Sequence, residues 1–499
     1  AAGVSAFGIS GTNAHVIVQD PDRPADGGPA PGPDSGPLHP AAVPWVLPAR
    51  TRPALRDLAS RLAQATPAVG PAELGGALAV HRAPTDRAFR HRAVVVSGAA
   101  EGLRAGLADL AAGRENPDVV TGRLPTDGGV LGVGVGGSGR SGGAGRTVFV
   151  FPGQGAQWEA MGAELLRTSP VFAEAAAACD AALAPYLDWS VLAVLRGDAG
   201  TPPLSRVDVA QTALFTMTVS LTALWRSYGV EPDAVVGHSQ GEIAAAYVSG
   251  ALTLPQAARV VALRARAVRG LPAGAMAAVS LPGRELAGRP AGRSGPPLAV
   301  AAENAPRASV VAGDPGAVDA LLDELAAEGV RARRIAVDYA SHCAAVEPLE
   351  AELTKVLAGI VPGAVSTPFL STAGGGWLSG PELTADYWYR NLRSPVSFGP
   401  AVDILLGAGF RTFIEVGPHP VLTYAVQETA ERAGVQAFAA GSLRRGEGGM
   451  RRFLLSAAEV YVQGAEVDWA AAYAGRRPAP AEVLPTYPFQ RRRYCLLYT

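Results

Sequence analysis

Lysine is almost absent from this chain: Lys355 is the single lysine among 43 basic residues, and the rest are arginine. Beside heavy use of Ala, Gly and Pro, this bias reads as genomic codon usage and says little about function. The 44 acidic residues bring the net charge to −1, which leaves no electrostatic footprint for nucleic acid or an anionic membrane surface. Cysteine is scarce too. Cys179, Cys343 and Cys495 are far apart and odd in number, so neither a disulfide framework nor a metal site can be built from them. The expectation is a reducing, cytoplasmic setting with no metal. No apolar run approaches the ~18 residues of a membrane span. The first residues, AAGVSAFGIS, have neither an initiator Met nor a charged leader region, so we read no signal peptide there. They read instead as a cut inside a longer chain.

What is present is enough for several packed units. The 499 residues suggest about two to four domains, and a content of 48% hydrophobic and 17% charged residues fits globular cores rather than a disordered chain. Residues 20–44 are rich in Pro, Gly and Asp and read as a linker. A small α+β region follows: TRPALRDLASRLAQAT and AAEGLRAGLADLAAG have helical spacing, and FRHRAVVVSG is a strand run between them. Next, Gly134, Gly136 and Gly139 match G-x-G-x-x-G, but more Gly, Ser and Arg follow instead of a helix. That context reads as a flexible loop rather than a dinucleotide fingerprint.

From residue 147 the punctuation becomes strand, loop, helix. TVFVFPGQGAQ is an apolar run ending in a Gly loop, and PDAVVGHSQGEIAAAYVSG is strand, sharp turn, helix. Such alternation predicts a mainly parallel sheet covered on both faces. Residues 275–340 differ. Four short strand runs surround the amphipathic PGAVDALLDELAAEG, which predicts a small inserted α+β unit.

Ser239 stands between glycines in G-x-S-x-G, with a strand before it and a helix after it. That context puts the serine on a tight elbow at the end of the sheet, with its hydroxyl projecting. The backbone N–H of Gln240, at the helix start, is placed to hold an oxyanion. A serine hydroxyl needs a base, and there are seven histidines. His39, His81 and His91 fall in the linker region, and His238 adjoins the serine but faces away on the elbow. His342 and His419 remain, with His15, and residue chemistry alone does not choose between the first two. No aspartate stands out in the Ser…Asp…His order of ordinary hydrolases. Cys343 beside His342 invites a Cys–His reading, but neighbouring side chains on a strand face opposite ways.

FVFPGQGAQ, GHSQGE, the arginine of VALRARAV, DYASH and EVGPHPVL follow one another in the order found in acyltransferase domains of modular polyketide synthases. The chain resembles that family, and the related malonyl transacylases, over residues 147–437. The flanks agree: GVSAFGISGTNAHVIV resembles the last strands of a ketosynthase, and LPTYPFQRRRYCL resembles the segment closing the acyltransferase region. The resemblance implies a ketosynthase remnant over 1–19, a linker domain over 20–146, the acyltransferase over 147–437 with a small subdomain at about 275–340, and a following linker over 438–499. The implied fold is α/β. It has an α/β-hydrolase-like large subdomain and an inserted ferredoxin-like α+β subdomain, preceded by a small α+β linker domain.

The same resemblance implies roles. Ser239 corresponds to the acyl-accepting nucleophile, and His342 to its general base, oriented by a backbone carbonyl rather than a carboxylate. Gln154 and Gln240 correspond to the oxyanion donors through their main chains. Arg264 corresponds to the arginine that binds the extender's carboxylate, which a planar guanidinium suits. Its neighbours Arg259, Arg266 and Arg269 read as solvated surface. Gln211 corresponds to a pocket residue, although the Pro usual after it is Thr212 here. His15 resembles a ketosynthase histidine, but the rest of that domain is absent.

The implied activity loads an extender unit from coenzyme A and passes it to the phosphopantetheine thiol of an acyl carrier protein. No catalytic cofactor is implied. The carrier protein and the ketosynthase of the same synthase are the implied partners, with no nucleic acid and no membrane. The pattern Tyr339-Ala340-Ser341-His342 resembles methylmalonyl-using domains, where malonyl users carry HAFH. Ser341 in place of Phe leaves room for the α-methyl, and Tyr339 forms another wall. A malonyl-specific, larger alkylmalonyl or relaxed pocket is the alternative. A serine thioesterase or hydrolase and a non-catalytic scaffold are the rival functions.

Overall fold

The structure is a computed structural model that describes residues 2–7, 13–18, 42–65, 69–83, 88–124, 145–287, 289, 298–476 and 478–491. The glycine-rich loop with Gly134, Gly136 and Gly139, most of the linker at 20–44, His39 and Cys495 lie outside these residues, as does the side chain of His15. Two compact units divide the chain between residues 39 and 40. In the first, strands Ala2–Phe7 and Asn13–Val18 pair antiparallel.

The second unit begins with a three-stranded antiparallel sheet, Val43–Ala49, His91–Ser97 and Val119–Arg123. The helices Arg52–Ala65 and Ala100–Ala112 lie where helical spacing predicts them. The helix Met450–Val462, from the far end of the chain, returns to this sheet. There the Arg92 guanidinium donates to the Tyr461 carbonyl at 2.9 Å and stacks over the Tyr461 ring, and Arg451 pairs with Asp118.

Six strands form the large sheet, in the order Trp377–Leu378, Phe369–Leu370, Ala234–Gly237, Arg146–Phe151, Phe410–Glu415, Phe438–Gly441. All neighbours run parallel except the first pair. Apolar runs such as Val148–Phe151, buried on both faces, suit such a sheet. Its last strand lies beyond residue 437, because Phe438–Gly441 finds ladder partners along Phe410–Glu415. Helix Val207–Ser227 is, among the described residues, the one helix long and apolar enough to cross a membrane, and 94% of that stretch is buried in the protein's own core.

The inserted unit is a four-stranded antiparallel sheet in the order Ala332–Arg334, Ala275–Val279, Ala308–Gly313, Ala299–Ala305. With helices Gly283–Ala287 and Pro315–Ala327 the chain order is βαββαβ, and the sheet order by appearance is 4-1-3-2. This is the ferredoxin-like arrangement. Asp314 starts the second helix, its carboxylate accepting from the N–H groups of Gly316 and Ala317.

Candidate active site

Ser239 sits where strand Ala234–Gly237 turns into helix Gly241–Val248, and its φ is +55°. The flanking glycines are sterically required. A Cβ on Gly237 would lie 2.3 Å from the Glu242 nitrogen, and one on Gly241 2.2 Å from the Phe151 carbonyl oxygen. The elbow therefore packs its backbone directly against the adjacent strand, and the serine projects from the sheet's C-terminal edge. That edge is where open α/β sheets bind ligands.

Of the two histidines left open by residue chemistry, His342 is the one brought to the serine. Its Nε2 lies 2.7 Å from the Ser239 hydroxyl, and its Nδ1 lies 2.9 Å from the Ser394 carbonyl oxygen. A carbonyl only accepts, so Nδ1 carries the proton and Nε2 presents its lone pair to the serine. The His342 main chain is held in turn, its N–H donating to the Leu392 carbonyl at 2.9 Å with φ at +59°. Burial, followed by the Arg264 guanidinium, lowers the His342 pKa to about 3. His419 is elsewhere, its Nδ1 accepting from the Arg445 N–H at 3.3 Å. The His238 ring nitrogen meets Asn304 Oδ1 of the inserted sheet at 2.8 Å, and His238 is among the groups that lower the His342 pKa. Cys343 is buried in the apolar layer between the large sheet and the inserted unit.

Gln154 lies in the P-G-Q-G loop after strand Arg146–Phe151, and its side-chain oxygen accepts from the Tyr339 hydroxyl at 2.7 Å. Neither the Gln154 nor the Gln240 main-chain N–H donates to another main-chain group among the described residues. Two such donors, on loops at the same edge as the serine, are what a developing oxyanion needs. The loop is braced from the next strand over: Trp158 donates to the Pro418 carbonyl at 3.0 Å. Glu415 fixes that neighbouring turn by accepting from the N–H groups of Val421, Leu422 and Thr423. This gives the EVGPHPVL segment a structural part.

Arg264 is 1% exposed, on helix Leu254–Arg269. It donates to two amide oxygens, Gln211 Oε1 and Asn391 Oδ1, each at 3.2 Å, and its buried Nε–H has no partner among the described residues. No carboxylate pairs with it within salt-bridge reach among the described residues. Burial pulls its pKa down to about 10, so it stays charged at neutral pH. Arg266 and Arg269 are exposed as expected. Arg259 is not solvated surface: it is half-buried and donates to the Val356 and Ala358 carbonyls, because the neighbouring helix Glu350–Val356 ends there with unpaired acceptors. Thr212 fits the place of the usual Pro by donating to the Asp208 carbonyl one turn back, at 2.7 Å. Tyr339 and Ser341 are both buried, and the Ser341 hydroxyl reaches Met276 Sδ at 3.6 Å.

Of three further residues with structural parts here, Ser394 and Asn391 carry no local signal, and Glu242 closes the GHSQGE stretch. Ser394 contributes only a carbonyl. Asn391 donates to the Ser239 carbonyl at 3.2 Å and to Glu242 at 2.9 Å while accepting from Arg264. Glu242 is fully buried and also accepts from Tyr387 and Thr372.

Comparison with known proteins gives a consistent picture. A family model described as "Acyl transferase domain" matches residues 148–467. Polyketide synthase GfsB of Streptomyces halstedii is 47% identical over 526 residues, covering 99% of this chain and 9% of that protein. The spectinabilin polyketide synthase system protein NorA' of Streptomyces orinoci is 48% identical over 500 residues, covering 99% of this chain and 13% of that protein. The chain thus spans only about a tenth of the length of these relatives. Among solved structures, the acyltransferase domain from module 8 of the salinomycin polyketide synthase is 46% identical with a TM-score of 0.79, over 86% of this chain and 98% of that one.

Proposed function

The chain belongs to the acyltransferase domains of modular polyketide synthases, and from that premise we propose that it loads methylmalonyl from coenzyme A onto Ser239 and hands it to the phosphopantetheine thiol of an acyl carrier protein. In the first half, Ser239 Oγ attacks the thioester carbonyl while its proton passes to His342 Nε2. The carbonyl oxygen, now negative, is held by the Gln154 and Gln240 N–H groups. Collapse breaks the C–S bond, and the departing thiolate takes the proton from Nε2. In the second half the carrier's thiol gives its proton to Nε2 and attacks the seryl ester, and Ser239 recovers the proton as it leaves.

The observation that carries this reading is Arg264, a buried cation with amide partners and no carboxylate, close enough to depress the His342 pKa. A free carboxylate on the substrate completes its pairing. That favours a dicarboxylic extender over a plain hydrolase substrate, and it anchors the acyl-enzyme for attack by a thiol. The small Ser341 beside buried Tyr339 favours methylmalonyl over malonyl. The other synthase domains, the ketosynthase among them, are the partners this reading implies, in the cytoplasm, with no catalytic cofactor.

Intact mass tests it. Wild type and Ser239→Ala are incubated with equal methylmalonyl-CoA and malonyl-CoA, without carrier protein. A persistent methylmalonyl adduct on wild type alone is the expected result. A malonyl adduct overturns the extender assignment, and fast release of free CoA with no adduct overturns the transferase in favour of a hydrolase.

A further inference from the structure

Asn391 links three groups, and their chemistry fixes which way its amide points. The Ser239 carbonyl, which only accepts, and a carboxyl oxygen of Glu242 both lie on the Nδ2 side, at 3.2 and 2.9 Å. The Arg264 guanidinium lies on the Oδ1 side at 3.2 Å and only donates. Turning the amide over would set oxygen against a carboxyl oxygen and a carbonyl, and nitrogen against a cation. Glu242 itself cannot turn. The Thr372 main-chain N–H donates to one carboxylate oxygen, and the Tyr387 hydroxyl donates to the other at 2.6 Å. Tyr387 is pinned by Ser371, whose hydroxyl is 2.7 Å away.

We infer that Glu242 is a positioning residue for extender selection: by holding the Asn391 amide in one orientation, it aims Arg264 while leaving the guanidinium without a carboxylate of its own. The Glu242 carboxyl stands one side chain removed from the cation, and its burial raises its pKa. A carboxylate at position 391 would saturate Arg264 directly, whereas an amide oxygen steers it and leaves Nε–H free. The inference rests on the proposed role of Arg264 in binding the substrate carboxylate.

Glu242→Gln tests it with little change of shape. The fixed Thr372 N–H demands an oxygen, so the new amide presents its NH₂ to Asn391, and the two NH₂ groups conflict. Asn391 then turns over, and Arg264 loses an acceptor. The readout is binding to the full chain in a Ser239→Ala background, by calorimetry, of methylmalonyl-CoA and propionyl-CoA. These two ligands differ by the carboxylate alone. The preference for methylmalonyl-CoA is expected to fall about tenfold in Glu242→Gln, with propionyl-CoA affinity unchanged. Adding Glu242→Gln to Asn391→Ala is expected to cost nothing further, because the first residue acts through the second.

The outcomes separate. No preference in Ser239→Ala itself overturns the role of Arg264 beneath the inference. A preference there that survives Glu242→Gln overturns the inference alone. So does an equal loss of both ligands, which marks a general structural defect, or a further loss on top of Asn391→Ala.

Discussion

Ser239 and His342 meet at 2.7 Å, and both hold left-handed backbone conformations, with φ of +55° and +59°. Only one other non-glycine residue among those described, Ala160, does the same. For an L-residue this conformation costs roughly 1–2 kcal/mol. It is tolerated at Ser239 because Gly237 and Gly241 lock the elbow against the neighbouring strand. At His342 the main chain is tied to the Leu392 carbonyl. The strain is therefore concentrated on the two groups that exchange a proton.

Replacing the serine should expose that strain as stability. Ser239→Gly and Ser239→Ala both remove the hydroxyl, but only glycine relaxes at positive φ. Glycine is expected to be the more stable of the two by about 1 kcal/mol, less its own unfolded-state entropy, with neither variant forming an acyl adduct. Urea denaturation of both proteins checks the order. Alanine equal to or above glycine would falsify the claim that the elbow is strained.

The His342 environment gives a pH prediction with a definite sign. The imidazole must be neutral to accept the serine proton, and its pKa lies at about 3 instead of 6.5, through burial and then Arg264. The acylation kcat/KM should stay flat from about pH 8 to about pH 5, with no inflection at the ordinary histidine value. Arg264→Ala removes one of the two leading causes and should move the acid limb upward. Because the folded pKa lies below the unfolded one, this residue's contribution to stability is lost as pH falls from 6.5 toward 3. Rapid-quench acylation across that range provides the test. A wild-type inflection near 6.5 would sink the account.

Much of the scaffold was legible because it is written locally. The apolar run before GHSQGE and the helix after it are set by period and composition, and Gly237 is needed for a contact five residues on, at Glu242, although Gly241 is needed against Phe151 of the adjacent strand. The antiparallel inserted unit also showed in its short strand runs. What stayed hidden depends on pairings across long stretches of chain. Asn391 reaches Ser239 across 152 positions, and Ser394 offers His342 only a carbonyl, which every residue has. Arg264 shares its helix with three other arginines, and nothing local separates the buried one from the two that are exposed or from Arg259, which caps a neighbouring helix end. The edge strand Phe438–Gly441 escaped for the same reason, since four residues become a strand only when Phe410–Glu415 is alongside.

The extender preference is the prediction most dependent on shape. Ser341 and Tyr339 are buried on either side of Ala340, with Tyr339 fastened to Gln154 and Ser341 turned to Met276. Ser341→Phe adds a ring where a hydroxymethyl stood, so the space for an α-methyl is the first to be lost. It should lower kcat/KM for methylmalonyl-CoA more than for malonyl-CoA, by about tenfold in the ratio, since a methyl group's worth of packing discriminates by roughly 1–3 kcal/mol. Tyr339→His alone should act differently. It releases the Gln154 side chain on the oxyanion loop, so it should lower kcat for both extenders without much change in their ratio. Competition between the two CoA esters, read by adduct mass, distinguishes the effects. If Ser341→Phe leaves the ratio unchanged while Tyr339→His shifts it, selection belongs to the tyrosine and its glutamine partner, and the small residue at 341 is not its cause.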